Sequence, residues 1–212
     1  MKHDKATMNA QRKVLALMGF LLPILAPLAG FIAYERNSPD FWHSISATFY
    51  ATSNIFMIGC LAIFAFFLLL YKGYDIGDHA TCAFSALMAL GILIFPCQCM
   101  AAGDRTGVFN LPSPLSNVIH CIVAAFLFGS FAYMIGFRFT KSTTEKKTIE
   151  KLKRNITYRI CSIIIMLAMA SQLVTSFLGL GWFTIINETV MLWAFSFAWA
   201  VKADVFKRFR DN

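Results

Sequence analysis

Six apolar runs with almost no charge inside them shape everything this chain can become. They lie at about residues 14–34, 47–71, 80–97, 115–137, 158–178 and 182–201. A helix needs about 20 apolar residues to cross the roughly 30 Å of a bilayer's hydrocarbon. Each run reaches or nearly reaches that length. Strands of a membrane barrel would alternate polar and apolar residues over about 10 positions, and these runs do not. In lipid the backbone must satisfy its own hydrogen bonds, so a continuous apolar run becomes a helix. Composition agrees: 58% of the residues are hydrophobic and 14% charged, against about 25% charged in a soluble domain. The sequence therefore predicts an all-α fold, a polytopic bundle of six transmembrane helices making one domain over residues 1–212.

The basic residues orient it. Of the 19 lysines and arginines, all but Arg36 and Arg105 fall on one side once six spans are drawn. The side rich in Lys and Arg is the cytoplasmic one. That predicts a multi-pass protein of the cell membrane with both termini in the cytoplasm. The net charge of +8 follows from this topology, so no nucleic-acid partner is required. The loop KSTTEKKTIEKLKRN, residues 141–155, reads as a short helical extension lying on anionic lipid at the inner face. VFKRFR near the C-terminus reads as a headgroup anchor. The first run exceeds the apolar core of a cleaved leader and lacks an A-x-A site, so it reads as a retained helix.

Local signals mark the helix ends. Pro23 and Pro27 should kink the first span. Tyr71-Lys72-Gly73-Tyr74 reads as an aromatic belt with a basic anchor and a glycine stop. Asp78 is placed to cap the third span, and Ser113-Pro114 to open the fourth. Six cysteines occur, most of them mid-span, where Cys acts as a small apolar residue. Cys97-Gln98-Cys99 could bind metal, but no second such pair exists and no metal is assigned.

The informative residues are the polar ones in apolar surroundings, because burying them in lipid is costly. His43, Ser46, Tyr50 and Ser53 recur at i, i+3, i+7 and i+10, which is one face of a helix at the head of the second span. His120 lies in the fourth span and Glu188 in the sixth, both near the outer ends. Ser171, Gln172, Thr175, Ser176 and Asn187 add polarity at the same level. These groups should face one another around a cavity open to the outer side. His43, Ser46, Tyr50, His120 and Glu188 are the candidate ligand-binding residues.

Several uses compete for that cluster. His120 donating to Glu188, with Ser46 and Tyr50 filling in, would make a purely structural clasp between helices. A pocket for a lipid or small ligand is the leading functional reading, and it is not enzymatic. An oligomeric pore, gated from the cytoplasmic side, is an alternative compatible with a homo-oligomer. A membrane hydrolase is another, with Ser, His and Glu as nucleophile, base and orienter. No H-x-x-x-H or H-E-x-x-H motif occurs, so no metal, cofactor or catalytic residue is assigned.

Several segments together carry a resemblance. They are SISATFYATSNIF, LLYKGYD, IFP, NVIHCIVAAFLFGSFAYMIGFRFTKS, KRNITYRICSIIIML and NETVMLWAFSFAWAVK. The chain resembles an uncharacterised family of bacterial six-span integral membrane proteins, and the likeness covers most of its length. This implies an inner-membrane setting. More remotely, SIS after a short first outer loop is similar to the DRAM, Sfk and PGAP-type six-span families, which implies a lipid or membrane-trafficking role. Ala47 and Thr48 stand where those families usually carry an acid. The CREST membrane hydrolases resemble this arrangement in using Ser, Asp and His near the membrane surface, but their paired C-terminal histidines have no counterpart after His120.

Overall fold

The apolar runs form helices in the computed structural model, which describes residues 2–33, 43–51, 54–98, 104–142 and 148–209. The helices are α1 (Lys2–Ala33), α2 (Asn54–Leu70), α3 (Ile76–Ile94), α4 (Ser113–Tyr133), α5 (Ile149–Phe177) and α6 (Phe183–Lys202). Five are long and apolar enough to cross a membrane; α2, with 17 residues, is apolar but shorter. The protein is an all-α, multi-pass integral membrane protein. Each helix packs on the next in sequence, and α1 returns against α6, closing the six into a ring. Among the described residues strand pairing is confined to a small hairpin between β1 (Arg105–Thr106) and β2 (Leu111–Pro112).

Large apolar side chains point both ways, since lipid accepts them as readily as a core does. Phe66, Phe137 and Phe177 face outward. Inside, Phe64, Phe131 and Phe195 cluster with ring centroids 4.1 to 5.5 Å apart. Trp199 packs edge-on against Tyr71 at 4.9 Å and against Phe139 at 5.0 Å. These rings are almost fully buried, and such aromatic pairs add about 0.5–1.5 kcal/mol each beyond area burial. Together they fill the bundle's axis. Gly19 lets α1 approach α6 closely, because a Cβ there would stand 2.5 Å from Ser196 Oγ.

Several local expectations change. Tyr71 does not belong to a lipid-facing belt; its ring is core, held by Trp199, while Tyr74 is the exposed partner. The α3 cap is Asp75, which accepts from the Asp78 amide at 2.9 Å. Asp78 is taken instead by a long-range ion pair. Ser113 lies inside α4, after Pro112, and its hydroxyl caps nothing. The α5 helix starts at Ile149 with Thr148 as its cap, so the end of the basic loop is indeed helical. Phe209 is held by the Arg154 guanidinium, which donates to its carbonyl at 2.6 Å.

The second span also begins later than residue 47. A 3₁₀ turn covers Ser46–Tyr50, and Ala51 is extended, before α2 starts at Asn54. Serine and threonine cause this. The Ser46 amide donates to Ser44 Oγ, and Thr48 Oγ1 donates to the Ile45 carbonyl at 2.6 Å. Such local bonds compete with the α-helix. At about three residues per turn, positions four apart leave a common face. The stripe from His43 to Tyr50 is therefore not an α-helical face, and Ser53 lies outside the described residues.

The end of the bundle where α1 begins and α6 ends is locked by charge. A π-helical turn, Met134–Arg138, follows α4 and carries Arg138 inward. Its Nε donates to Asp78 Oδ1 at 2.7 Å, and its Nη2 pairs with Asp75. Asp78 also accepts from the Tyr74 amide at 2.9 Å. Gly73, at φ +64°, is required here because a Cβ would run into the Asp78 side chain. The Asp78 amide, then Lys141 and Arg138, hold the exposed Asp75 carboxyl below the usual carboxylate range. Asp78 and Arg138 are both buried, so removing one strands the other. Arg138→Ala should cost about 3 kcal/mol, measured as a lowered unfolding midpoint in detergent. Adding Asp78→Leu should restore much of that loss.

Candidate functional site

At the opposite end of the bundle, among the described residues, two stretches of backbone beside α4 and α6 lack helical partners. One is the segment that begins at His43. The other is the end of α3, where Pro96 stops the helix and its last carbonyls are left over. In a membrane such groups must find partners inside the protein. Side chains from α4 and α6 supply several of them.

Glu188 of α6 serves the first stretch. Its carboxylate accepts from Ser44 Oγ at 3.0 Å, the Ile45 amide at 2.6 Å and Ser46 Oγ at 3.2 Å. Three donors converge on one carboxylate, which ties the segment to α6. The second stretch is served carbonyl by carbonyl. His120 Nδ1 lies 2.9 Å from the Phe95 carbonyl, Ser116 Oγ donates to that of Pro96 at 2.8 Å, and Tyr50 Oη to that of Cys97 at 2.7 Å. Tyr50 Oη also meets Thr106 Oγ1 of β1 at 2.9 Å. Asn117 Oδ1 accepts from the Gln98 amide at 3.0 Å.

Facing a carbonyl oxygen, His120 Nδ1 carries the proton, so Nε2 is left with its lone pair. Among the described residues Nε2 has no hydrogen-bond partner. Between α5 and α6 a further clasp forms. Gln172 Nε2 donates to Thr184 Oγ1 at 2.9 Å, and Asn187 Nδ2 donates to Gln172 Oε1 at 3.1 Å.

These groups surround a cavity of about 600 Å³ between α4, α5, α6 and the segment at His43. Near the His43 segment its lining is polar, with His43, Ser44, Asn117, His120 and Glu188; deeper along the same helices it is apolar, with Ala124, Phe128, Met169 and Met191. That volume lies within the 300–1,000 Å³ range of small-molecule sites, which are mostly apolar with a few convergent polar groups. Cys121, Leu173 and Ser176, along its rim, are exposed. The cavity thus reaches the protein's surface between α4 and α5.

Of the residues marked in the sequence, His43, His120 and Glu188 line this cavity. Ser46 sits behind the wall as a donor to Glu188, and Tyr50 is directed to the end of α3 and the hairpin. The direct clasp from His120 to Glu188 is not formed, because each has a backbone partner of its own. Ser44, which donates to both Glu188 oxygens, was not among the candidates. Its position next to the stripe, in HSIS, is the one signal that could have marked it. Cys99 lies outside the described residues. Among those described, no group of three or more His, Cys, Asp or Glu side chains is gathered as a metal ion would need.

Truncation should rank these residues. Glu188→Ala leaves the Ile45 amide and two hydroxyls without their acceptor, and each such buried group costs about 1–3 kcal/mol. Ser44→Ala removes a single donor and should cost about 1 kcal/mol. Hydrogen exchange should show residues 43–50 opening in Glu188→Ala while the basic end stays protected.

No protein-family model matches this chain, and neither a curated protein nor a solved structure matches it.

Proposed function

We propose that this protein binds a lipid or other small amphipathic molecule in the cavity between α4, α5 and α6. One observation carries the reading: the cavity has two chemistries, polar near the His43 segment and apolar deeper along the same helices. The apolar wall of Ala124, Phe128, Met169 and Met191 suits a hydrocarbon chain. The polar part of the lining, about a turn away on the same helices, offers acceptors, the Glu188 carboxylate and the bare His120 Nε2. Their chemistry selects a head that donates hydrogen bonds, a hydroxyl or an amine. The rim between α4 and α5 gives such a molecule a sideways entry from the bilayer. In this proposal both termini are cytoplasmic and the cavity opens on the outer side. The resemblance to bacterial six-span inner-membrane proteins belongs to the same proposal.

A water path through one copy is not part of this reading, since Phe64, Phe131, Phe195 and Trp199 occupy the axis. A hydrolytic reading would need a nucleophile beside a base, whereas the Ser44 and Ser46 hydroxyls are directed to Glu188 and His120 to a carbonyl.

Native mass spectrometry of protein released from a mild detergent is the test. Wild type should retain a defined lipid mass. Ala124→Phe, which fills the apolar wall, should lose it while keeping its melting temperature. His120→Ala should weaken retention by about tenfold, the loss expected for one buried hydrogen bond. A wild type that carries nothing, or an Ala124→Phe variant that carries as much as wild type, would overturn the proposal. A bare symmetric ring of subunits would redirect it to a conducting oligomer.

A further inference from the structure

A second cavity, of about 450 Å³, lies at the end of the bundle where α1 and α5 begin and α6 ends. Five cations line it: Arg12, Lys13, Lys151, Arg154 and Lys202; the acid among its lining residues is Asp204. Gathered cations repel one another. The preference for Lys and Arg at a cytoplasmic face accounts for basic residues spread over a surface. It does not account for their convergence, from three helices, on one concavity.

Lys202 carries the inference. It is 8% exposed, and its Nζ lies 4.3 Å from the centroid of the Phe139 ring and 4.7 Å from that of Tyr74. Among the described residues no oxygen acceptor lies within hydrogen-bonding distance of that ammonium. Aromatic faces attract a cation but leave its three N–H donors unfilled, and a buried lysine is normally paired. Asp78, the buried acid at this end, is engaged by Arg138 and the Tyr74 amide. The other cations are held in place around it. Arg12 Nη1 donates to the Lys202 carbonyl at 3.3 Å, Lys151 Nζ to that of Phe139 at 3.1 Å, and Arg154 Nη1 to that of Phe209 at 2.6 Å.

We propose that this cavity binds a phosphate-bearing anion, with the phosphate group against Lys202, Arg12 and Arg154. A phosphate offers several strong acceptor oxygens and up to two negative charges, matching a lysine point charge flanked by arginine forks. The depth agrees. Lys13 directly precedes the first apolar run, Lys202 closes α6 and Tyr74 follows α2, so the lining sits at the boundary where lipid headgroups lie. A phosphomonoester lipid head and a phosphate compound from the water present the same group, and both could reach this site.

The test uses the full chain in phosphatidylcholine nanodiscs, with thermal unfolding as the readout. Phosphatidic acid is introduced into the disc in one arm, and inorganic pyrophosphate is added from solution in the other. A rise in melting temperature is expected in at least one arm, and the arm that responds names the source. Lys202→Met, which keeps an apolar stem against the two rings, should weaken the response by about tenfold or more. Lys207→Gln with Arg208→Gln removes two exposed charges at the same end and should leave the response intact. No response in either arm would overturn the proposal. So would a Lys202→Met variant with an altered melting temperature but an unchanged response, since that reads as packing alone. Equal loss in the Lys207/Arg208 control would also overturn it, since that reads as diffuse attraction to a basic face.

Discussion

An unpaired backbone carbonyl in hydrocarbon costs several kcal/mol, and this bundle is arranged around that cost. Along their lengths its helices satisfy most of their own backbone groups, Pro23 and Pro27 in α1 being exceptions that lack a donor. Around the cavity the difficulty falls, among the described residues, on two places where helical pairing stops: the segment from His43 to Ala51 and the end of α3 at Phe95–Cys97. Glu188 answers the donors of the first, and His120, Ser116 and Tyr50 answer the acceptors of the second. These bonds also fix what is left between them. The cavity exists because residues 43–50 are held against α6 and α3 by side chains instead of continuing as a helix.

The basic end of the molecule uses charge in two contrasting ways. Near α3's start, Asp78 and Arg138 form a closed pair, buried and geometrically matched. A pair of that kind gives little net stability, but breaking it is expensive, so it fixes how α3 meets the turn after α4. At the same end Lys202 is buried without such a pair, on two aromatic rings. The contrast distinguishes a structural charge, whose partner is built in, from one held on aromatic rings, whose partner under our proposal comes from outside.

Helix number and fold class were legible because lipid leaves so few alternatives to a helix. Glu188 and His120 were legible for the same reason: an ionisable side chain in an apolar run must have a partner. Which partner was not legible. The clasp reading paired the two with each other, yet Glu188 took the Ile45 amide with the Ser44 and Ser46 hydroxyls, His120 took the Phe95 carbonyl, and such a carbonyl has no signature in residue type. The stripe at His43 was misread as an α-helical face because spacing alone cannot reveal that Ser44 and Thr48 would turn their hydroxyls on the local backbone. Asp78 was likewise assigned to the nearest helix terminus, when Arg138, 60 residues away, outcompeted a local cap.

The sequence by itself determined that this chain lives in a membrane as an all-helical bundle, because apolar length and backbone hydrogen bonding admit no other form. It also determined which few residues would need partners, because charge in hydrocarbon is too costly to leave alone. Only the tertiary structure decided how those needs are met and what remains open. The convergence of Arg12, Arg154 and Lys202 from three helices, and the part-polar, part-apolar cavity between α4, α5 and α6, depend on distances between segments far apart in the chain. Periodicity reports which side of a helix a residue occupies; packing decides what it faces.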